Sequence, residues 1–327
     1  MEKTIFDCIL LLILGFFVLI KGSNLFVDGA SNVAKKLKIP TIIIGLTLVS
    51  FGTSMPELSA SINSAIIGNS DMNFGNVVGS NIFNLLVVIG CSALFVPLVV
   101  SKQIIKYDLP ILLGIYSLLA LFAMVITPNV ISRWEAIVIF VLSIVYTVFL
   151  ILRNKKEIKE EREKDETEEE KKLQNNNKWL KNIVFVVIGL ACIVFGGRIV
   201  VNNATQIAQY LKVNDLVIAL TVVAIGTSLP ELVTSIVAAK KGENDIAIAN
   251  VVGSNIYNVL LILGLSTIIS PMNVATNPNF IDVAFMVFTT ILFIFFVFKN
   301  KTVKRWQGIT MILLYVAYVI YIILRAI

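Results

Sequence analysis

Leu46-Thr-Leu-Val-Ser-Phe-Gly-Thr-Ser-Met-Pro-Glu57 occurs a second time, 174 residues further on, as Leu220-Thr-Val-Val-Ala-Ile-Gly-Thr-Ser-Leu-Pro-Glu231. The match runs well past this motif. Sliding the chain by 174 residues lays Gly22–Gly90 on Gly196–Gly264 without a gap, and 31 of the 69 positions are identical. Asn76-Val-Val-Gly-Ser-Asn-Ile-Phe-Asn84 meets Asn250-Val-Val-Gly-Ser-Asn-Ile-Tyr-Asn258. A shared apolar composition does not explain identities at Gly, Pro, Asn and Glu. The chain carries an internal repeat.

The setting of the repeat is a membrane. The 327 residues are 57% hydrophobic and 15% charged, against roughly half and about a quarter in soluble domains. The excess lies in runs such as Cys8–Ile20, Leu85–Val100, Ile137–Leu152 and Phe285–Phe298. About 20 mostly apolar residues cross the hydrocarbon core as a helix. Too few polar residues remain to coat a soluble core of this size. The pattern predicts an all-α polytopic membrane protein with ten spans, at 4–22, 42–67, 74–97, 109–126, 135–152, 181–200, 216–239, 246–270, 280–298 and 306–325. Residues 1–152 form one five-span half, 182–327 the other, and a charged loop over 153–181 joins them. An odd number of spans makes the second half enter the membrane from the opposite side, an inverted-topology repeat. In such transporters the substrate site lies at the repeat interface near the midplane.

Lys and Arg set the expected orientation. With the central loop in the cytoplasm, the inside loops carry Lys35, Lys36 and Lys38; Lys102 and Lys106; Lys240 and Lys241; and Lys299, Lys301, Lys304 and Arg305. The outer segments carry Lys3, Arg133, Arg198, Lys212 and Arg325. Both termini are expected outside the cell. The net charge of +6 then reflects cytoplasmic basic residues rather than a nucleic-acid partner. The apolar N-terminus has no A-x-A cleavage pattern and reads as a retained first span. Within the central loop, Glu160/Lys164 and Glu168/Lys172 suit i,i+4 pairs on a solvated helix. The acidic cluster there lacks EF-hand spacing.

The sequence has no histidine and three isolated cysteines, Cys8, Cys91 and Cys192. This excludes His-based metal sites, His general bases and CxxC chemistry. It also leaves little with which to build an intramembrane hydrolase. Glu57 and Glu231 read as the only ionisable residues deep within the spans. An intramembrane acid is costly and is a functional hypothesis by default. Pro56 and Pro230 should kink their helices. Ser50, Thr53 and Ser54 crowd the face before Glu57, and Ala224, Thr227 and Ser228 repeat the pattern before Glu231. On the third and eighth spans, Asn76, Ser80 and Asn84 share one face, as do Asn250, Ser254 and Asn258. Of these polar residues, Asn76, Asn81, Asn250 and Asn255 read mainly as packing contacts between helices.

Two carboxylates with hydroxyl, amide and carbonyl oxygens make a hard-oxygen set, suited to Ca2+, Mg2+ or Na+. Mg2+ dehydrates reluctantly, so a dry pocket favours calcium. Two glutamates offset the charge of one Ca2+. Emptied of calcium, the pocket needs replacement cations, sodium ions or protons, and that requirement is the basis of exchange. A channel would not require two acids at repeat-matched positions.

At these residues the chain closely resembles the sodium/calcium exchanger family of the cation/calcium antiporters, over nearly its whole length. The resemblance implies ten helices and alternating access, with the first and sixth helices sliding against the rest. It implies an extracellular N-terminus and the ions Ca2+ and Na+ as cargo, with no cofactor. It assigns calcium to Glu57, Glu231 and the carbonyls of Thr53 and Thr227. Sodium positions add Ser50, Ser54, Ser80, Asn84, Ala224, Ser228, Ser254 and Asn258. Potassium-dependent members carry aspartate where this chain has Asn258. The central loop is too short for the regulatory calcium-binding domains of animal exchangers. Proton-coupled exchangers show a GNxxE pattern in place of Gly52-Thr-Ser-Met-Pro-Glu57, which leaves Ca2+/H+ exchange as the alternative.

Overall fold

The computed structural model of the protein describes residues 4–155, 159, 179–212, 224–274 and 277–326. In chain order the elements are α1 (Ile5–Leu37), α2 (Thr41–Thr53), α3 (Met55–Ile66), α4 (Ser70–Phe95), β1 (Leu98–Val99), α5 (Ile104–Ile126), β2 (Val130–Ile131), α6 (Arg133–Arg153), α7 (Trp179–Tyr210), α8 (Ala224–Thr227), α9 (Leu229–Lys240), α10 (Asn244–Ile269), β3 (Met272–Asn273), α11 (Asn277–Phe298), β4 (Thr302–Val303) and α12 (Arg305–Ala326). Among the described residues eight of these helices, α1, α4–α7 and α10–α12, are long and apolar enough to cross a membrane. Helices α2 and α3 pass the same test together, bent by 47° at their junction. The chain is a multi-pass integral membrane protein. The expected span at 216–239 falls partly outside the described residues, and its remainder is α8 and α9. The expected helical pairs of the central loop also lie outside them.

Two expected boundaries need correction. The first span runs to Leu37 rather than residue 22, and the sixth runs to Tyr210 rather than residue 200. Lys21-Gly22 looks like a stop in the sequence but does not break the helix. The Lys21 ammonium rests over the Phe17 ring. Gly22 marks a close helix approach: a Cβ there would stand 2.6 Å from Cys192 Cβ and 2.9 Å from the Gly189 carbonyl oxygen. Beyond it Phe26, Val27, Ala30 and Ala34 are buried, which keeps the helix going. It ends at Lys38, in the left-handed region with φ 50°. Helices α1 and α7 thus pack backbone to backbone through small residues, as membrane helices do.

The less apolar helices sit inside. In α4 and α10 the membrane window is 78% and 94% buried, against 22% in α1 and 28% in α7. Their mean hydropathy is correspondingly lower, 1.9 and 1.8 against 2.4 and 2.6. Helices rich in Ser, Asn and Gly are therefore screened from lipid by their apolar neighbours. Two short antiparallel pairings tie the ends of the bundle together across the two halves of the chain. β1 pairs with β4 through Leu98 and Val303, and β2 with β3 through Ile131 and Met272.

Glu57 and Glu231 are not the only buried acids. Asp108, Glu135 and Asp282 are also buried, but near helix ends and with partners in place. Asp108, expected just outside its span, accepts from Arg153 at 3.0 Å and Tyr146 at 3.2 Å. Glu135 accepts the Ser132 amide at 2.7 Å in a capping box. Asp282 accepts from the Tyr318 hydroxyl at 3.0 Å.

Candidate ion-binding site

The site begins where the repeated motif breaks its helices. Ser54 leaves helical geometry at φ −82°, ψ 8°, and Ser228 does so at φ −91°, ψ 6°. Each break is followed by a proline in the first turn of the next helix, where its missing N–H costs nothing. Glu57 and Glu231 therefore fall in the first turns of α3 and α9. The exposed amide ends of a helix favour negative charge there. Both carboxylates are fully buried.

Each glutamate is held by the other half of the chain. The Ser54 hydroxyl donates to Glu231 Oε1 at 2.8 Å, and the Ser228 hydroxyl donates to Glu57 Oε1 at 2.9 Å. The threonines cross over as well. Thr53 Oγ1 donates to Asn250 Oδ1 at 3.0 Å, and Thr227 Oγ1 to Asn76 Oδ1 at 3.5 Å. The amide nitrogens of these asparagines turn back to their own half. Asn76 Nδ2 donates to the Glu57 carbonyl at 3.2 Å and to Ser61 at 2.9 Å. Asn250 Nδ2 donates to the Glu231 carbonyl at 3.5 Å and to Ser235 at 2.9 Å. Asn76 and Asn250 thus clamp one half's acid-bearing turn to the other half's threonine.

The remaining candidates divide by atom. The Ser50 hydroxyl is spent on the Leu46 carbonyl at 2.8 Å. The Ser50 carbonyl instead accepts from Ser254 Oγ at 3.3 Å, and Ser254 also reaches Glu231 Oε1 at 3.5 Å. At this position Ser50 therefore faces the site with its main chain; its repeat-mate Ala224 starts α8. Gly253 permits this approach, since a Cβ there would lie 2.7 Å from Ser50 Oγ and 2.9 Å from the Leu46 carbonyl oxygen. Asn84 Nδ2 donates to Asn255 Oδ1 at 3.1 Å, and Asn258 Nδ2 donates to Asn81 Oδ1 at 3.1 Å. Asn84 and Asn258 also open π-helical stretches, Asn84–Val88 and Asn258–Leu263, a distortion frequent at functional positions.

One set of atoms is left over. Glu57 Oε2, Glu231 Oε2, Asn84 Oδ1, Asn258 Oδ1 and Ser80 Oγ are buried and have no hydrogen-bond partner. Buried polar atoms are ordinarily paired. These five are all oxygens and four of them are repeat-mates; other buried atoms, such as Ser92 Oγ and Asn203 Oδ1, are unpaired elsewhere among the described residues. Among the described residues no cluster of three or more His, Cys, Asp or Glu stands ready for a metal, so the donors are two acids and neutral oxygens. Sequence reading missed the π-helical turns, which have no residue signature. It read Asn76, Asn81, Asn250 and Asn255 mainly as packing contacts between helices, and their hydrogen bonds do join helices, with partners the sequence did not name.

Comparison with known proteins agrees with this architecture. The family model described as sodium/calcium exchanger protein matches residues 8–152 and 181–324. The chain is 35% identical to the sodium/calcium exchanger MaX1 of Methanosarcina acetivorans, covering 95% of this chain and 97% of the relative. It is 33% identical to the inner membrane protein YrbG of Escherichia coli, covering 86% of each. A solved structure of the sodium-calcium exchanger NCX_Mj, soaked with zero Na+ and Ca2+, superposes with a TM-score of 0.82 at 28% identity, covering 98% of this chain and 100% of that one. With this fold, this repeated site and these matches, the chain belongs to the sodium/calcium exchanger family, a family of transporters rather than enzymes.

Proposed function

We propose that the protein is a secondary active antiporter that exchanges Ca2+ for Na+ across a cell membrane by alternating access. The observation that carries this reading is the set of unpaired buried oxygens, above all Oε2 of Glu57 and of Glu231. A desolvated carboxylate without a counter-charge is expensive. Among the described residues neither glutamate has a basic partner, whereas Asp108 pairs with Arg153 and Asp28 with Lys241. A bound cation would supply the counter-charge and ligate these oxygens.

In this reading Ca2+ binds both carboxylates and the carbonyls of Thr53 and Thr227, all hard oxygens. Its two charges offset the two glutamates. Na+ ions take the same carboxylates together with the oxygens of Ser50, Ser54, Ser80, Asn84, Ala224, Ser228, Ser254 and Asn258. The empty, doubly charged pocket is too costly to reorient, so release of one cation on a given side must be followed by binding of another. The ions are cargo, and no resident cofactor is required.

The transport cycle uses ten helices in two inverted five-helix halves, 1–152 and 182–327, with the site at their interface. The sequence repeat and the reciprocal bonds between the halves support that arrangement. The distribution of Lys and Arg supports a cytoplasmic loop over 153–181 and extracellular termini.

Protons are the competing counter-ion, because the unpaired carboxylate oxygens accept a proton as readily as they ligate a cation. Proteoliposomes decide between the two. Radiolabelled Ca2+ uptake is measured under outward Na+, K+ or H+ gradients. Uptake driven by Na+ alone is the expected result. Uptake driven only by H+ makes the protein a Ca2+/H+ exchanger, and uptake with no counter-gradient makes it a channel.

A further inference from the structure

Asn81 and Asn255 remain unused by this mechanism, although both are fully buried between α4 and α10. A carboxamide beside a cation site has two orientations, and only one of them ligates. The oxygen is a ligand, and the NH2 group repels the ion. Something must therefore fix the orientation of Asn84 and Asn258, which as neutral amides are free to turn either end inward.

The hydrogen bonds show what fixes it. Asn255 Nδ2 donates to the backbone carbonyl of Asn81 at 3.1 Å. A backbone carbonyl only accepts, so Asn255 must point Nδ2 at it and Oδ1 the other way. That oxygen meets Asn84, which must answer with Nδ2, at 3.1 Å. The Asn81 side chain behaves alike. Its Nδ2 lies 3.8 Å from Met286 Sδ, and a thioether also only accepts. Its Oδ1 is thereby turned to Asn258 Nδ2, at 3.1 Å. Both chains end on groups that have no donor, and both leave a single outcome: Asn84 Oδ1 and Asn258 Oδ1 face away from the network, buried and unpaired.

We propose that Asn81 and Asn255 are positioning residues, which hold the carboxamides of Asn258 and Asn84 with oxygen toward the cation. The proposal rests on the ion site described above. It gives a reason for the fixed pairing of two asparagines in each copy of Gly-Ser-Asn-Ile-x-Asn. In each half the second asparagine supplies the ligand, and the first orients the ligand of the opposite half.

The test is binding of radiolabelled Na+ and Ca2+ to the purified full-length protein, with exchange in proteoliposomes measured alongside. Asn255→Ala and Asn81→Ala each raise the half-saturating concentration of at least one ion by roughly three- to tenfold, the loss of about one amide hydrogen bond. The exchange rate at saturating ion stays close to that of the parent. Asn84→Asp and Asn258→Asp present oxygen at both ends, so nothing is left to orient. In those backgrounds the held oxygen of Asn255 or Asn81 faces a carboxylate oxygen, so Asn255→Ala no longer lowers affinity with Asn84→Asp, nor Asn81→Ala with Asn258→Asp; affinity stays level or rises as that repulsion is removed. A packing defect would persist in both. Equal losses with and without the aspartate overturn the proposal, as do unchanged affinities in the single variants. The two pairs share no residue, so a poorly folding variant in one leaves the other decisive. Glu57→Gln separates this inference from the site itself. If it leaves ion binding intact, the site is misplaced. If it abolishes binding while both alanine variants bind like the parent, only the positioning role fails.

Discussion

Ser54 donates to Oε1 of Glu231 at 2.8 Å, reaching from one half of the chain into the other. The bond from Ser228 to Glu57 Oε1, at 2.9 Å, is its repeat-mate. Each acid thus has one oxygen committed to the opposing half and one, Oε2, uncommitted. A site built this way cannot be assembled by either half alone. Separating the halves on one side disturbs the surroundings of both carboxylates at once.

The two glutamates should therefore be individually essential. Glu57→Gln and Glu231→Gln keep the size of the side chain and one oxygen but remove the charge. Removing one partner of a buried ion pair costs about 3–5 kcal/mol, and every 1.4 kcal/mol is about tenfold in affinity. Either change should reduce Na+-driven Ca2+ uptake by roughly two orders of magnitude or more, with folded protein still in the membrane. Near-normal uptake in the double variant would falsify the site.

The serines should matter less than the acids, and about equally. Ser54→Ala and Ser228→Ala each remove one hydrogen bond to a charged acceptor, worth about 1.5–3 kcal/mol. The expected cost is roughly 10- to 100-fold in apparent Ca2+ affinity, read from uptake against Ca2+ concentration. A large effect at one serine and none at the other would show that the matched bonds are not equivalent in the working protein.

Much of this was legible in the sequence because the repeat sits on residues whose chemistry is unambiguous. A glutamate after a proline, deep in an apolar run and present twice, announces a kink, a buried charge and a relation between halves. Atom-level use was not legible. Ser50 read as a sodium position without an atom named, and its hydroxyl is taken by the Leu46 carbonyl. Asn81 and Asn255 looked like packing, because an asparagine's partner is set by helix register across the interface rather than by its own neighbours. The length of α1 was hidden for a similar reason. Lys21 and Gly22 read as a stop until the close contact with Gly189 and Cys192 is in place.

Potassium should not be required. Asn258 brings a neutral amide oxygen where a carboxylate would add charge, so in the proposed site two acids alone would balance one Ca2+. Exchange in proteoliposomes free of K+ should equal exchange with K+ present. Asn258→Asp adds a negative charge to the buried set and should slow Ca2+ release or introduce K+ sensitivity. A strict K+ requirement in the parent protein would contradict this reading of position 258.

Orientation can be read by labelling. With Cys8, Cys91 and Cys192 replaced, a single cysteine introduced at Lys171 should resist a membrane-impermeant thiol reagent in intact cells. It should react once the membrane is opened. Labelling from outside would reverse the topology inferred from the basic loops. Neutralising Glu168, Glu169 and Glu170 together should leave exchange close to the parent's, since none of the three belongs to the proposed ion site.

Gly253 tests how tightly the interface near the site is set. It neighbours Ser254, whose hydroxyl reaches the Ser50 carbonyl at 3.3 Å and Glu231 at 3.5 Å. A methyl group at 253 would meet Ser50 Oγ at 2.7 Å, and the Leu46 carbonyl oxygen and Ser50 Cβ each at 2.9 Å. The Ser50 hydroxyl can rotate away, but Ser50 Cβ and the Leu46 carbonyl move only with their helix. Overpacking of this kind typically costs about 1–3 kcal/mol. The displacement also falls directly on the Ser254 contacts. Gly253→Ala should therefore lower the melting temperature by several degrees and weaken Ca2+ exchange by about tenfold. Adding Ser50→Ala removes the shortest of the three contacts, keeps the Cβ, and should restore part of the stability. Recovery should stay incomplete, because the Leu46 carbonyl remains in the way. Parental melting temperature and exchange in Gly253→Ala would mean that α10 stands further from α2 than the 2.7 and 2.9 Å approaches imply.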